Sequence, residues 1–415
     1  MKLLNIEVTS RGDVFHSRYD IFRQQGADIY YLTASNDATP YAGFAGKRVA
    51  ISQTIEAIMS EARAWHQQEQ FDAIITTDEA SVVATALIAQ ALGLPATSVE
   101  AAKNSRNKYL MRLAHQQGGA PHPPFHLCCS LEQALQAAKT IGYPVIIKPT
   151  LGGNAEHVYL IRNEEVMRQQ FPMVWEANLH YSYGQHEAKG INLEPNALLV
   201  EGFLAGSEHC VEAWVRDGVI CIGSIADRIS TELEVFDNDL YRTPSMLSVA
   251  DLEKLRHALE AGVRAQGIDY GVVHAEFRFH QGEAYILEIA ARIGGGSLYK
   301  MARLSYDYCP VTTAYRVATQ QKPDAKSLEK NGRVAVGLTM LCQQGKISHI
   351  SVPETVKTHP AVFNLGILAR EGDFHYRPPA GNDIFGYIGV TGTSQEAAIA
   401  LASDLFAQID IRFAD

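Results

Sequence analysis

Two glutamates and an arginine form the first pattern in this chain that could do chemistry. In GVVHAEFRFHQGEAYILEIAARIGGGS, residues 271–297, Glu276 and Glu288 are followed by Arg292 and by Gly294, Gly295 and Gly296 before Ser297. Alternation over 272–280 and 284–289, with Gln281-Gly282-Glu283 between, predicts a hairpin with a three-residue loop. In that register Glu276 faces Glu288. One face then carries Ala275, Phe277, Phe279, Tyr285, Leu287 and Ile289, and the other His274, Glu276, Arg278 and His280, with Glu288 across from them. Like charges directly opposite in a sheet repel, so a divalent cation between the two carboxylates is the best explanation of the pair. Hard oxygen ligands favour magnesium, which usually travels with a nucleotide's phosphates. Arg292 and the glycine run would add donors for an anion. A solvated hairpin face, with Glu and Arg alternating for solubility, uses the same residue types, and a two-residue loop would put the pair on opposite faces.

A second pattern lies in YPVIIKPTLGGNAEHVYLI, residues 143–161. The apolar run Val145-Ile146-Ile147 ends in Lys148, a costly place for a cation unless something negative meets it. Gly152 and Gly153 let backbone approach a ligand closely. Together these suggest a phosphate site, although a snorkelling lysine and an ordinary turn read the same way. A third stretch, 197–229, predicts a strand, a turn and a long hairpin. Glu201 and Glu208 there flank Phe203-Leu204, which could offer an adenine its apolar wall and a ribose its carboxylate. Any edge strand with two glutamates looks alike.

These residues need elements to hold them. At 415 residues the chain is too long for one ordinary core. Alternating strand and helix signals over the first hundred residues (strands near 3–8, 28–34, 48–52 and 71–77; helices near 54–68 and 79–92) predict an open α/β sheet with a parallel core. No G-x-G-x-x-G follows the first strand, and no P-loop motif occurs. A polar helix over 104–117 and the connector PHPPF, 121–125, lead into α+β sequence. Residues after 176 and residues 231–249 are poorly periodic and read as loops or lids. The last hundred residues give strands near 333–341, 346–350 and 385–392 and a helix over 394–409. The formal net charge of -10 argues against nucleic-acid binding. No stretch predicts a membrane span or a signal peptide. Six cysteines without C-x-x-C spacing indicate neither zinc nor a redox motif. They read as buried small hydrophobes in a reducing cytoplasm.

The order lysine, glycine loop, E-G-F-L, paired glutamates and arginine resembles the ATP-grasp superfamily over residues 100–300, and the preceding α/β domain resembles the one that precedes the grasp. The resemblance implies a Rossmann-like pre-ATP-grasp domain over 1–100, an ATP-grasp domain of two α+β subdomains over 101–310 and a C-terminal α+β subdomain over 311–415. It implies ATP and Mg2+. Lys108 and Lys148 would contact the phosphates, and Gly152, Gly153 and Asn154 would cover them. Glu201, Phe203 and Leu204 would hold the adenine edge, with Glu208 on the ribose. Glu276 and Glu288 would bind the metal, and Arg292 would stabilise the transferring phosphoryl group. Many members have E-x-N-x-R with Asn as a further metal ligand; here Ala290 stands in its place.

That E-x-A-A-R form is similar to the L-amino-acid ligases. The overall character resembles the amide ligases of dapdiamide-type antibiotic assembly, which join an N-acylated 2,3-diaminopropionate to a hydrophobic amino acid such as valine. The expected activity is an ADP-forming carboxylate–amine ligation through an acyl phosphate. Gly295, Gly296 and Ser297 would hold that intermediate and a substrate carboxylate. His274 and Arg278 would line the pocket or serve the fold. Partners would be small molecules, with a homodimer a candidate assembly and residues 322–415 either capping the site or forming a dimer surface. The rival readings are a carboxylase using bicarbonate, a small-molecule kinase and a non-catalytic nucleotide-binding regulator.

Overall fold

The computed structural model describes residues 1–415 except 11, 13, 37–39, 154, 181–185, 194–196, 231–238, 324–327, 377–383 and 415. Asn154, the end of the loop after 176 and much of the 231–249 segment therefore lie outside the described residues.

The amino-terminal part is a parallel sheet in the order β3-β2-β1-β4, formed by β1 (Lys2–Ile6), β2 (Asp28–Thr33), β3 (Gly46–Val49) and β4 (Ala73–Ile75). Leu3, Leu4 and Ile6 of β1 are fully buried, as a strand covered on both faces requires. Around it pack α1 (His16–Gln24), α2 (Ile55–Glu69) and α3 (Val82–Leu92). The sequence reading missed α1, whose polar segment HSRYDIFRQ buries only Arg18, Tyr19, Ile21 and Phe22. A 3-10 turn at Glu79–Ser81 precedes α3.

The helix expected over 104–117 is broken. α4 (Val99–Arg106) ends, Asn107 is extended, and α5 (Lys108–Gly118) begins. The Asn107 side chain accepts from the N–H groups of Tyr109 and Leu110, an N-cap that satisfies otherwise orphaned donors. The cap places Lys108 at the head of α5, where its own N–H reaches Thr150 O at 2.8 Å.

A four-stranded antiparallel sheet follows in the order β5-β8-β6-β7, made of β5 (Phe125–Cys128), β6 (Val145–Pro149), β7 (Tyr159–Ile161) and β8 (Leu198–Gly202). α6 (Leu131–Ile141) and α7 (Glu164–Leu179) cover one side through Ala134, Ala138, Met167 and Val174. The main sheet has eight strands in the order β13-β12-β9-β10-β11-β14-β18-β16. Its strands are β9 (Glu208–Arg216), β10 (Val219–Ser230), β11 (Asp239–Thr243), β12 (Tyr270–His280), β13 (Glu283–Ala290), β14 (Val334–Met340), β16 (Val362–Ile367) and β18 (Gly386–Gly392). α8 (Val249–Gln266) packs Leu255, Leu259 and Val263 on the apolar face with Phe277, Ile286 and Ile289. α9 (Leu298–Tyr306) and α10 (Pro310–Ala318) link the halves of the chain. β15 (Gly345–Ser351), β17 (Phe374–His375) and β19 (Asp410–Phe413) form a small sheet, with α11 (Glu354–Lys357) and α12 (Gln395–Phe406) nearby. Strands β14, β16 and β18 thus continue the sheet that carries the paired glutamates.

The hairpin differs from expectation in an instructive way. His280 pairs with Glu283, so the loop is the two residues Gln281-Gly282, not three. Both have positive φ, 51° and 81°, as a type I′ turn needs. The register then shifts between Glu276 and Phe277, leaving Leu287 as the extra residue of a β-bulge. The bulge restores Glu276 opposite Glu288. The two-residue turn sets Ile286 opposite Phe277 in the core, and the bulged Leu287 lines the cavity. The cysteines also depart from expectation: Cys128 and Cys210 are buried, but Cys129 is exposed and Cys221, Cys309 and Cys342 are half-buried.

Candidate active site

Three rows of side chains cross the polar face of the main sheet. Arg228, Glu208 and Arg278 are register partners across β10, β9 and β12. Two residues along, Cys210, Glu276 and Glu288 pair across β9, β12 and β13. Two further, Glu212 pairs with His274 and His274 with Ala290. The period of two in a strand puts each set on one face. The four-stranded sheet lies opposite, and between them is a cavity of about 430 Å³, in the range of small-molecule sites. Lys108, Lys148, Gly152, Gly153, Glu201, Phe203, Leu204, Glu208, His274, Glu276, Arg278, Glu288, Arg292, Gly295, Gly296 and Ser297 all line it. The described residues that the sequence marks for a site role thus meet in one cavity.

The ion pairs are dense. Lys148 Nζ lies 2.6 Å from Glu201, and Arg112 Nε lies 2.6 Å from the same carboxylate. Burial pushes the Glu201 carboxyl up, but the two cations outweigh it and hold it at about 2. Burial lowers the Lys148 ammonium, opposed by Glu201. Lys108 Nζ sits 3.0 Å from Glu288 and 3.3 Å from Gly152 O. Glu208 accepts from Arg228 at 2.6 Å and from Arg278 at 2.7 Å. Burial also opposes ionisation of Glu276, yet His274, Arg228 and Lys108 hold its carboxyl well below the usual range. His274 is buried, which disfavours its charge, but Glu212 and then Glu276 raise it to about 9.

Several contributors escaped the sequence reading. Glu212 accepts from His274 Nδ1 at 2.8 Å and from the Gly294 N–H at 3.0 and 3.1 Å. It therefore anchors the head of the glycine run. A Cβ at Gly294 would fall 2.2 Å from Glu212 Oε1, so any larger residue displaces the carboxylate that holds this backbone. Arg18 of α1 donates to Gly294 O and to Thr77 O, both at 3.1 Å. Glu79, at the carboxyl end of β4, accepts from Arg292 Nε. Burial raises its carboxyl, but Arg292, Arg106 and Lys108 outweigh that and lower it. Arg106 pairs with Glu187 at 2.6 Å and donates to Gly152 O at 3.2 Å. Two signals for these residues were present in the sequence. Glu208, Cys210 and Glu212 have the spacing of one strand face, and Asp78-Glu79 follows a parallel strand, where open α/β sheets bind ligands.

Comparison with known proteins matches three family models: an ATP-grasp N-terminal domain at residues 23–96, an ATP-grasp domain at 141–300 and the L-amino acid ligase C-terminal domain 2 at 338–414. The chain is similar to an L-arginine-specific L-amino acid ligase of Bacillus subtilis, 23% identical over 317 residues, covering 73% of this chain and 71% of that one. It is 28% identical over 240 residues to the alanine–anticapsin ligase of Bacillus subtilis and 25% over 296 residues to carnosine synthase 1 of Homo sapiens. It spans 49% and 35% of those two proteins. Among solved structures, an L-amino acid ligase from Bacillus licheniformis superposes with a TM-score of 0.83 at 21% identity, covering 100% of this chain and 99% of that one. A biotin carboxylase from Campylobacter jejuni gives 0.69 at 16%, covering 99% and 92%. Among the described residues, no helix is long and apolar enough to cross a membrane. In chain order, this sequence thus matches an ATP-grasp N-terminal domain, an ATP-grasp domain and the C-terminal domain 2 of L-amino acid ligases.

Proposed function

We propose that this protein is an ATP-dependent carboxylate–amine ligase that joins two amino acids, or an acylated amino acid and an amino acid, with release of ADP and phosphate. The observation that carries the reading is the direct pairing of Glu276 with Glu288 in one cavity with Lys108, Lys148 and Arg292. The carboxyl-terminal match to L-amino acid ligases favours an amine acceptor over bicarbonate. Working boundaries are 1–100, 101–310 and 311–415.

The residues fit a hard cation: two facing carboxylates, with Glu276 held ionised. Glu276 and Glu288 would hold magnesium, which, when bound, neutralises phosphate oxygens. A triphosphate would take over Lys108 from Glu288 and share Lys148 with Glu201. Gly152, Gly153 and Asn154 would cover the phosphates. Glu201, Phe203 and Leu204 would border the adenine. Glu208, already held by two arginines, has lone pairs left for ribose hydroxyls.

In the reaction a substrate carboxylate oxygen attacks the γ-phosphorus, and the bond to ADP breaks. Arg292, oriented by Glu79, stabilises the charge that spreads over the transferring group. The backbone at Gly295, Gly296 and Ser297 holds the acyl phosphate. The second substrate's neutral amine then attacks the acyl carbon; phosphate leaves and the amine loses a proton. No covalent protein nucleophile is needed, because positioning and charge neutralisation supply the rate. His274 and Arg278 would support Glu276 and Glu208 in this. Closure of the 151–157 loop would keep water from the acyl phosphate. A cytoplasmic setting, where ATP is available, goes with this reading. Antibiotic assembly is the setting that the anticapsin-ligase relative suggests, and an N-acylated diaminopropionate is the donor that the dapdiamide-type resemblance names.

Phosphate release measured with ATP, Mg2+ and amino acids singly and in pairs, with product mass, tests the reading. Release that requires two substrates, with a product of their summed mass less water, supports it. A persistent phosphorylated product, or release with bicarbonate and no amine, would replace it with a kinase or a carboxylase.

A further inference from the structure

The cavity has a second end. Beyond the glycine run, α9 begins at Leu298, and its Leu298 and Met301 face the cavity together with Gly337 and Leu338 of β14, Leu368 after β16 and Tyr387 of β18. These six are apolar apart from the Tyr387 phenol; Thr339 of β14 and Tyr241 of β11, the register partner of Gly337, line the same cavity. Gly337 is close to the head of α9: a Cβ built there would lie 3.0 Å from Met301 Sδ and 3.8 Å from Ser297 Cβ. The wall is tied to the anion-binding backbone, since Asn364 of β16 donates to Ser297 Oγ and accepts from Lys300 Nζ. Met301 stands one helical turn after Leu298, about 5 Å along the axis. That is the reach from an amino acid's carboxylate to the end of a leucine-sized side chain.

We infer that this carboxyl-terminal wall is the specificity subsite for the carboxylate-activated substrate, and that it accepts an uncharged, apolar side chain. The inference rests on the ligase reading above and adds the class of donor. It also gives the carboxyl-terminal domain a role, in which β14 and β18 set the depth of the subsite and Gly337 leaves room that any larger residue would fill. A cationic donor side chain would lose hydration against this apolar wall, so this chain would not share the arginine preference in the name of its Bacillus subtilis relative.

The experiment uses the full-length protein. Leucine, methionine, alanine, arginine and glutamate are compared as donors, with glycinamide as amine so that only the named amino acid has a carboxylate to activate, by product mass and kcat/KM. Separately, calorimetry reads binding of leucine and of arginine to the protein saturated with a non-hydrolysable ATP analogue and Mg2+. Expected are leucine or methionine favoured over arginine and glutamate by at least tenfold in both assays. Gly337→Val lowers the leucine-to-alanine ratio of kcat/KM by tenfold or more, and Met301→Ala shifts preference toward phenylalanine. ATP-induced thermal stabilisation checks that both variants are folded. Arginine or glutamate binding as well as leucine, or both variants keeping the wild-type ratio, would overturn the inference. Tight leucine binding, weakened by Gly337→Val, without amide from any pair would sink the ligase reading and leave the wall standing.

Discussion

Replacing Glu201 with glutamine removes one negative charge from between two buried cations. Arg112 and Lys148 each lie 2.6 Å from the carboxylate, and Arg112 is fully buried. The amide keeps the volume but leaves both cations short of a counter-charge. Carrying this carboxyl from its ordinary 4.5 down to about 2 corresponds to about 3 kcal/mol of folding stability. Breaking a buried pair by removing one partner costs about 3–5 kcal/mol, so the two routes agree. The sign follows from the lowered carboxyl: its contribution is fully present above pH 4.5 and is lost as pH falls through about 2. Urea unfolding at pH 7.5 should show Glu201→Gln less stable by about 3 kcal/mol, and the gap should close as pH drops below 4. Saturating ATP and Mg2+ should narrow it at pH 7.5, because a triphosphate would supply the charge that Lys148 has lost. A variant within about 1 kcal/mol of wild type, or a gap that ignores pH, would refute the reasoning.

Glu276→Gln and Glu288→Gln should each lower kcat at least about a hundredfold, with far-UV circular dichroism unchanged; a modest loss would deny the pair a metal-binding role. Arg292→Lys keeps a charge but loses the planar fork that meets Glu79. It should cut kcat about a hundredfold with little change in ATP affinity, and an equal loss in both would mean a binding role only. Gly294→Ala drives a methyl into Glu212 and should impair the 294–297 backbone. Its signature is loss of phosphate release with ATP binding retained, and full activity would contradict the tight packing.

The parallel sheet was legible because β1 and β4 are buried on both faces and so read as short, largely apolar runs, with Ile29 to Leu32 of β2 close to the same pattern. The pairing of Glu276 with Glu288 was reached in the sequence by an incorrect route. The expectation combined a three-residue loop with an unbroken register, whereas a two-residue turn and a bulge at Leu287 give the same facing pair. A bulge leaves no mark in alternation alone, so Leu287 was assigned to the core and Ile286 was not. Asn107 sits inside a helical period, and only its capping geometry reveals the break. Glu79, Arg18 and Glu212 come from separate strands and helices, and their meeting with Arg292 and Gly294 depends on how the amino-terminal sheet docks, which no local pattern encodes. The ionic grid was half visible: the glutamates could be picked out, while Arg112 and Arg228 looked like ordinary charged positions.

In the proposed reaction a carboxylate is activated by phosphorylation before the amine attacks. A donor amino acid labelled with 18O in its carboxylate, incubated with ATP, Mg2+ and the acceptor, tests it most directly. One 18O atom should reach inorganic phosphate for each amide formed, with ADP as the nucleotide product. Amide formation with unlabelled phosphate, or with AMP and labelled nucleotide, would contradict it.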